Sequence, residues 1–307
     1  MKTVIILFGP TCVGKTSASV SIAKFLDTEI ISADSMQIYR HMNIGTAKPN
    51  LKEMDGVVHH MIDIIEPIEM YSTGRYVETV APIIESIHKR EKIPIITGGT
   101  GLYMEALTRG LFKTTDADWS LRNKLLDLES ENSGYLYRSL LEIDPVSAKK
   151  IMAQDIRRII RAIEVYLYSG RGISDLQEIE TKPLPYNFIK IGLMRGRAEL
   201  YLRIDKRVDN MISDGLIDEV KELLKLNPSH TPMQAIGYKE IASYLLGHNT
   251  LEEAVIAIKQ ASRRYAKRQL SWFRRDGEIK WVEISGINDP SVIFDRVLEI
   301  VNESSLL

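Results

Sequence analysis

Short runs of apolar, mostly β-branched residues punctuate the first hundred positions: Val4-Ile5-Ile6-Leu7-Phe8, Glu29-Ile30-Ile31-Ser32 and Ile93-Pro94-Ile95-Ile96-Thr97. Their apolar cores show no polar alternation, which is the pattern of strands buried on both faces of a parallel sheet. Lys15 to Leu26 and Gly74 to Glu91 lie between them with apolar residues at helical spacing. This β-α-β alternation predicts a doubly wound α/β domain. Phe188 to Met194 repeats the strand pattern much later in the chain.

Between about Asp116 and Lys182 the texture changes. Leu121–Leu128, Gly134–Ile143 and Val146–Tyr168 carry apolar residues at helical spacing without strand signals, and Thr181-Lys182-Pro183-Leu184-Pro185-Tyr186 reads as a stiff exit linker. The expectation is a helical insertion domain, 116–182, in an α/β core formed by 1–115 and 183–307. Beyond Gly196 the pattern is mostly helical up to a short strand at Lys280–Ile284.

Composition narrows the class. The 307 residues suit about two domains, and 44% apolar with 26% charged residues is ordinary for a globular chain. Forty basic against forty-one acidic residues give a net charge of −1, so a nucleic-acid role would need locally concentrated positive charge. A single cysteine, Cys12, excludes an internal disulfide and a cysteine zinc cluster. The apolar run at Val4–Phe8 is too short for a signal-peptide core or a membrane span. A reducing, cytoplasmic location is the expectation.

The first chemical signal is Gly9-Pro10-Thr11-Cys12-Val13-Gly14-Lys15-Thr16, which matches G-x-x-x-x-G-K-[ST] between a predicted strand and a predicted helix. Such a loop aims backbone N–H groups and a helix dipole at one anion. All eight residues are expected to hold phosphate, Lys15 meeting the terminal phosphates and the Thr16 hydroxyl holding Mg²⁺. Cys12 reads as a small loop residue, since no partner base is evident. The core is therefore expected to be P-loop NTPase-like. A phosphate loop names no reaction, and ATP binding by a small-molecule kinase is the default reading. The third strand runs into Gly98-Gly99-Thr100-Gly101 in place of the usual Mg²⁺-holding Asp, though Asp34 and Asp63 remain available.

Asp34-Ser35-Met36-Gln37-Ile38-Tyr39 follows the second strand and Gly98 to Tyr103 follows the third. Both belong on the sheet rim that carries the phosphate loop. A lone Asp after a strand is more often a turn or cap residue; three polar loops on one rim favour a ligand site. His59-His60 invites a metal reading, but adjacent histidines rarely point at one ion, and a structural role is expected.

Taken together, residues 9–16, 34–39, Gly45-Thr46-Ala47-Lys48-Pro49, His59-His60-Met61-Ile62-Asp63 and 98–103 resemble the tRNA dimethylallyltransferase family, which prenylates the adenosine beside the anticodon. The segments Arg203–Met211, Gly215-Leu216-Ile217-Asp218-Glu219-Val220, Gln234–Glu240 and Arg264–Phe273 extend the resemblance over nearly the whole chain. Met152-Ala153-Gln154-Asp155 stands where the family often has His-Pro-Asn-Asp. The zinc finger of eukaryotic members is absent, which implies a bacterial-type enzyme, and the resemblance itself implies a monomer.

The resemblance implies transfer of a five-carbon group from dimethylallyl diphosphate to the exocyclic amine of adenosine 37 in tRNA. Lys15, the loop amides and Mg²⁺ on Thr16 would then neutralise charge growing on the leaving diphosphate. Asp34 would accept the amine proton or orient the amine, Gln37 would read the adenine edge, and Thr100 would bond the diphosphate. Arg207 would be a second cation on the diphosphate; its ordinary reading is an exposed ion pair with a nearby Asp. The implied tRNA-facing set is Asp34, Ser35, Met36, Gln37, Thr100, Arg122, Gln154, Asp155, Ile156, Arg157, Arg158, Arg264, Lys267 and Arg268.

Seven basic residues and no acid lie between Ala254 and Arg275. Lys259, Arg263 and Lys267, with Arg264 and Arg268 alongside, predict one basic stripe on a helix whose other side buries Ile258, Ala261, Tyr265 and Trp272. A second cluster, Lys149, Lys150, Arg157, Arg158 and Arg161, is diluted by Asp155 and Glu164, so salt-bridged packing competes with tRNA contact there. Two such surfaces would suit a stem-loop held between core and insertion. A non-catalytic RNA-binding protein is the third reading.

Overall fold

The computed structural model describes residues 1–112 and 117–303. In chain order the elements are β1 (Thr3–Phe8), α1 (Lys15–Phe25), β2 (Ile30–Ala33), α2 (Leu51–Met54), β3 (His59–His60), α3 (Thr73–Lys89), β4 (Ile95–Gly98) and α4 (Gly101–Thr108). Then come α5 (Trp119–Glu131), α6 (Tyr135–Ile143), α7 (Pro145–Lys150), α8 (Ile156–Ser169) and α9 (Ile173–Glu180). The chain closes with β5 (Asn187–Met194), α10 (Arg197–Ser213), α11 (Leu216–Lys225), α12 (His230–Met233), α13 (Tyr238–Leu245), α14 (Leu251–Phe273), β6 (Lys280–Glu283) and α15 (Pro290–Glu303). Two compact units emerge, 1–104 with 185–307, and 105–184. The boundary expected at 115/116 lies outside the described residues.

In the larger unit six strands form one parallel sheet in the order β3-β2-β4-β1-β5-β6. β1 lies inside the sheet, and Val4, Ile5, Ile6 and Leu7 are fully buried, as an apolar strand covered on both faces must be. Because every strand points the same way, the loops after β1, β2 and β4 emerge at one edge. β3 was not expected. It is two residues long, and the hydrophobic pattern of so short a strand is invisible; it forms because His59 and His60 pair with Ile30 and Ile31 at the sheet edge. The His60 ring bonds the Glu29 carboxylate at 2.7 Å and His59 Nδ1 the Val57 carbonyl at 2.9 Å, so both histidines hold this edge.

The smaller unit is helical, with α6 and α8 packed around Leu136, Leu140, Ile159 and Ile163. The single helix expected over Val146–Tyr168 is two. The Asp144 side chain accepts from the Ser147 amide at the start of α7, Ile151 is extended, and Asp155 restarts the helix by accepting from the Arg158 amide. An aspartate cap outcompetes continuous periodicity because it satisfies amides that a new helix start exposes.

Candidate active site

The loop after β1 turns sharply, with Cys12 in the left-handed region at φ 63°. Two of its carbonyls are held from α10 and the segment before it. Arg203 Nε donates to the Cys12 carbonyl at 3.0 Å, and the buried Arg195 Nε donates to the Val13 carbonyl at 2.8 Å. The Lys15 ammonium donates to the Gly9 and Pro10 carbonyls at 2.8 and 2.9 Å. Burial lowers its pKa to about 8; Arg207 adds to the fall and the Asp34 charge opposes it. Lys15, Arg207 and Asp34 are thus close enough to feel one another. Thr16 is exposed on the first turn of α1.

Asp34 leaves β2 and closes a turn, Oδ1 accepting from the Met36 and Gln37 amides at 2.9 and 3.3 Å. Its Oδ2 lies outside these bonds. Turn former and rim carboxylate are therefore the same residue. Thr100, after β4, receives the Ser35 amide at 3.0 Å and donates to Ser35 Oγ at 3.3 Å, tying the two loops together. Gln37 turns away from the cavity described below. Its amide donates to the Thr46 and Ala47 carbonyls at 3.3 Å and its oxygen accepts from Ser32 Oγ.

A residue that was not singled out joins the phosphate loop to the Gly98–Gly101 loop. Gln269 of α14, 5% exposed, accepts the Thr11 amide at 2.9 Å and donates to the Gly99 carbonyl at 2.9 Å. A Cβ at Gly99 would lie 2.1 Å from its amide nitrogen, so only glycine admits this approach. The available signal was a polar side chain on the core face of a helix, in register with Ser262, Ala266 and Phe273.

These loops and helices surround a cavity of ≈ 270 Å³, lined by Thr11, Asp34, Ser35, Arg207, Tyr265 and Arg268 among others. The Arg207 Nε is buried, with no hydrogen-bond partner among the described residues. Among the described residues the ordinary ion pair does not form: Asp205 and Asp209 pair instead with Arg263 and Lys259 of α14 at 2.5 and 2.6 Å. Tyr265 is pushed well above the usual phenol range, first by burial and then by the Asp34 charge. It therefore enters the site as a neutral phenol.

Those same ion pairs correct the expected basic stripe. Lys259 and Arg263 are neutralised from α10; Arg264, Lys267 and Arg268 are exposed, with no ion pair among the described residues. Arg268 and Arg275 lie over the rings of Tyr265 and Trp272, at 5.7 and 5.8 Å. The helix buries Ala254, Ile258, Ser262, Ala266, Gln269 and Phe273, whereas Ala261, Tyr265 and Trp272 are half-buried. A 23-residue helix at 3.6 residues per turn presents this narrower stripe to its core.

In the smaller unit, Arg122 is committed internally. Its guanidinium makes two bonds, 3.0 and 2.7 Å, to the fully buried Glu164, which also pairs with Arg161. Burial would raise the Glu164 carboxyl; the two arginines and the Asp118 amide overcome this and hold it below the usual range. Asp155 caps α8 and lies 3.4 Å from Arg158. Gln154, Arg157 and Arg158 are exposed and Ile156 is half-buried. Asp63 binds Lys48 at 2.5 Å. Among the described residues no group of three or more His, Cys, Asp or Glu could hold a metal.

The family model for IPP transferase matches residues 37–276. The tRNA dimethylallyltransferase of Thermodesulfovibrio yellowstonii is 52% identical over 98% of both chains, and that of Carboxydothermus hydrogenoformans is 47% identical over 97% of this chain and 96% of its own. The crystal structure of tRNA isopentenylpyrophosphate transferase from Bacillus halodurans superposes with a TM-score of 0.72 at 41% identity, covering 99% of this chain and 98% of that one. A eukaryotic dimethylallyltransferase acting on tRNA reaches a TM-score of 0.85 at 30% identity, covering 99% of this chain and 79% of its own. With its parallel sheet, its phosphate loop and these whole-length relatives, the chain belongs to the IPP transferase family, that of the tRNA dimethylallyltransferases.

Proposed function

We propose that the chain transfers a dimethylallyl group from dimethylallyl diphosphate to the exocyclic amine of the adenosine 3′ to the anticodon of tRNA, releasing diphosphate. The observation that carries this is the cavity that Thr11 of the phosphate loop, Asp34 and Arg207 line together. Diphosphate seated on the loop amides puts Lys15 and Arg207 beside the oxygens that gain charge as the C–O bond breaks. Preorganised cations stabilise that charge more in a dry site than in water. The amine nitrogen forms the new bond to carbon, and Asp34 Oδ2, outside the turn's hydrogen bonds, accepts the proton it loses. Thr100 and the neutral Tyr265 supply hydroxyls at the same rim. Mg²⁺ held by Thr16 would supply further charge neutralisation on the diphosphate.

The target base must leave the loop stack to enter the cavity. The exposed Arg264, Lys267 and Arg268 supply phosphate contacts beside it, and Gln154, Arg157 and Arg158 are the corresponding contacts of the helical unit. The kinase reading receives no support, since none of the relatives named above is a kinase. A cytoplasmic monomer accords with this reading; no helix among the described residues is long and apolar enough to cross a membrane.

The test is a transfer assay with labelled dimethylallyl diphosphate, Mg²⁺ and unmodified tRNA, with ATP hydrolysis followed in parallel. Label is expected at adenosine 37, lost in Lys15→Ala and slowed about 10²–10⁴-fold in kcat in Asp34→Asn. ATP turnover without tRNA and without label would overturn the assignment, and near-normal turnover of Asp34→Asn would remove its role as base.

A further inference from the structure

The segments Gly215–Val220 and Gln234–Glu240 contribute two side chains that the reaction does not use directly, and both converge on one loop. Glu219 of α11 accepts three consecutive backbone amides: Asn43 and Ile44 on Oε2, each at 2.8 Å, and Gly45 on Oε1 at 3.0 Å. The Tyr238 hydroxyl adds a fourth bond, 2.5 Å to Oε1. Tyr238 is fully buried, and burial together with the Glu219 charge holds its phenol far above the usual range, so it stays a donor. A Cβ at Gly45 would lie 2.4 Å from the Tyr238 ring, so the loop lies flat on that ring only because residue 45 is glycine.

The loop has no regular secondary structure; the Ala47 and Lys48 amides return to its own Ile44 and Asn43 carbonyls at 3.0 Å, while the Asn43, Ile44 and Gly45 amides reach Glu219. Its far end is tied separately, Lys48 donating to the Tyr39 carbonyl and the Asn43 side chain at 2.7 and 2.9 Å. The ordered loop then does two things. Gly45 and Thr46 form part of the cavity wall. The Thr46 and Ala47 carbonyls hold the Gln37 amide, and the Gln37 backbone N–H belongs to the turn that Asp34 closes.

We propose that Glu219, backed by Tyr238, is a positioning residue for the transfer reaction. Its carboxylate sets the backbone of residues 43–46 and, through Gln37, the wall and carboxylate that meet the acceptor base. The proposal rests on the prenyl-transfer reading. A carboxylate is needed because two acceptor oxygens serve four donors; a glutamine offers one acceptor and turns an NH₂ towards N–H groups. The phosphate loop is held by other residues, so its diphosphate affinity is independent of the clamp.

Glu219→Gln tests this in the full chain. Hydrogen exchange at the Asn43, Ile44 and Gly45 amides should accelerate about tenfold or more while the amides of β1 and α1 keep their protection. With tRNA, kcat should fall about 10- to 100-fold, the cost of a misplaced site wall, while the Kd for dimethylallyl diphosphate stays within about twofold. Tyr238→Phe keeps the ring on Gly45 and should show the same pattern more weakly. Unchanged exchange, or faster exchange with unchanged kcat, overturns the proposal. So does a parallel loss of diphosphate affinity, which would mark a general structural role. A wild-type protein that transfers no label overturns the transfer reading itself, whereas the exchange measurement judges the clamp alone.

Discussion

The Lys15 ammonium rests on two carbonyls of its own loop, and burial, reinforced by Arg207 and opposed by Asp34, leaves its pKa at about 8. Its charge is therefore lost as pH rises through about 8, well below the ordinary 10.5. If this cation receives the diphosphate, kcat/KM for dimethylallyl diphosphate should decline from about pH 8. A decline that begins only near 10.5 would show that the ammonium is not so perturbed. Stability moves the opposite way: between about 8 and 10.5 the unfolded chain holds a proton that the folded one lacks, so unfolding becomes harder as pH rises across that window. At this scale the motif was legible because eight adjacent residues encode it. The arginines that hold its carbonyls were not, since Arg195 and Arg203 lie some 180 to 190 positions away along the chain.

Among the elements, α14 organises the larger unit's rim. Its Gln269 gives the Thr11 amide an acceptor in a part-buried bond and the Gly99 carbonyl a donor in a buried one. Gln269→Ala leaves both groups unpaired and should destabilise the protein by about 1–3 kcal/mol, read in thermal or denaturant unfolding. An unchanged midpoint would mean that the loops are not tied through this residue. Helical periodicity marked α14 itself, but periodicity assigns core positions to apolar residues, and Gln269 is a polar residue in a core position. The same limit applies to the break between α7 and α8. Ala148, Met152 and Ile156 keep the apolar four-residue rhythm, while the caps Asp144 and Asp155 decide where each helix starts.

Across the molecule, a net charge of −1 is compatible with a polyanion substrate only if positive charge is left uncompensated in places. Pairing across α10 and α14 decides where. Arg264 is exposed, with no ion pair among the described residues, whereas Arg263 is bound to Asp205 and lies 5.9 Å from the Tyr201 ring. Arg264→Ala should weaken tRNA binding and reduce the salt slope of log Kd by about one, with little change in stability. Arg263→Ala should leave that slope nearly unchanged. Equal salt slopes for the two variants would show that sequence proximity, and not pairing, governs the contact.

The sequence by itself determined what neighbouring residues can encode. The buried strands, the phosphate loop between β1 and α1, the polar loops after β2 and β4 and the all-helical segment each rest on spacing or adjacency within a few turns of chain. Tertiary structure decided the rest. It paired Asp205 and Asp209 of α10 with two of the five basic residues of α14 and turned Arg122 inward to Glu164. It pointed Gln37 at a loop carbonyl and brought Glu219 from 175 positions away onto the Ile44 amide. The physical reason is that a charge or an amide is satisfied by whichever partner the packed elements bring within about 3 Å, and sequence distance carries no record of that meeting.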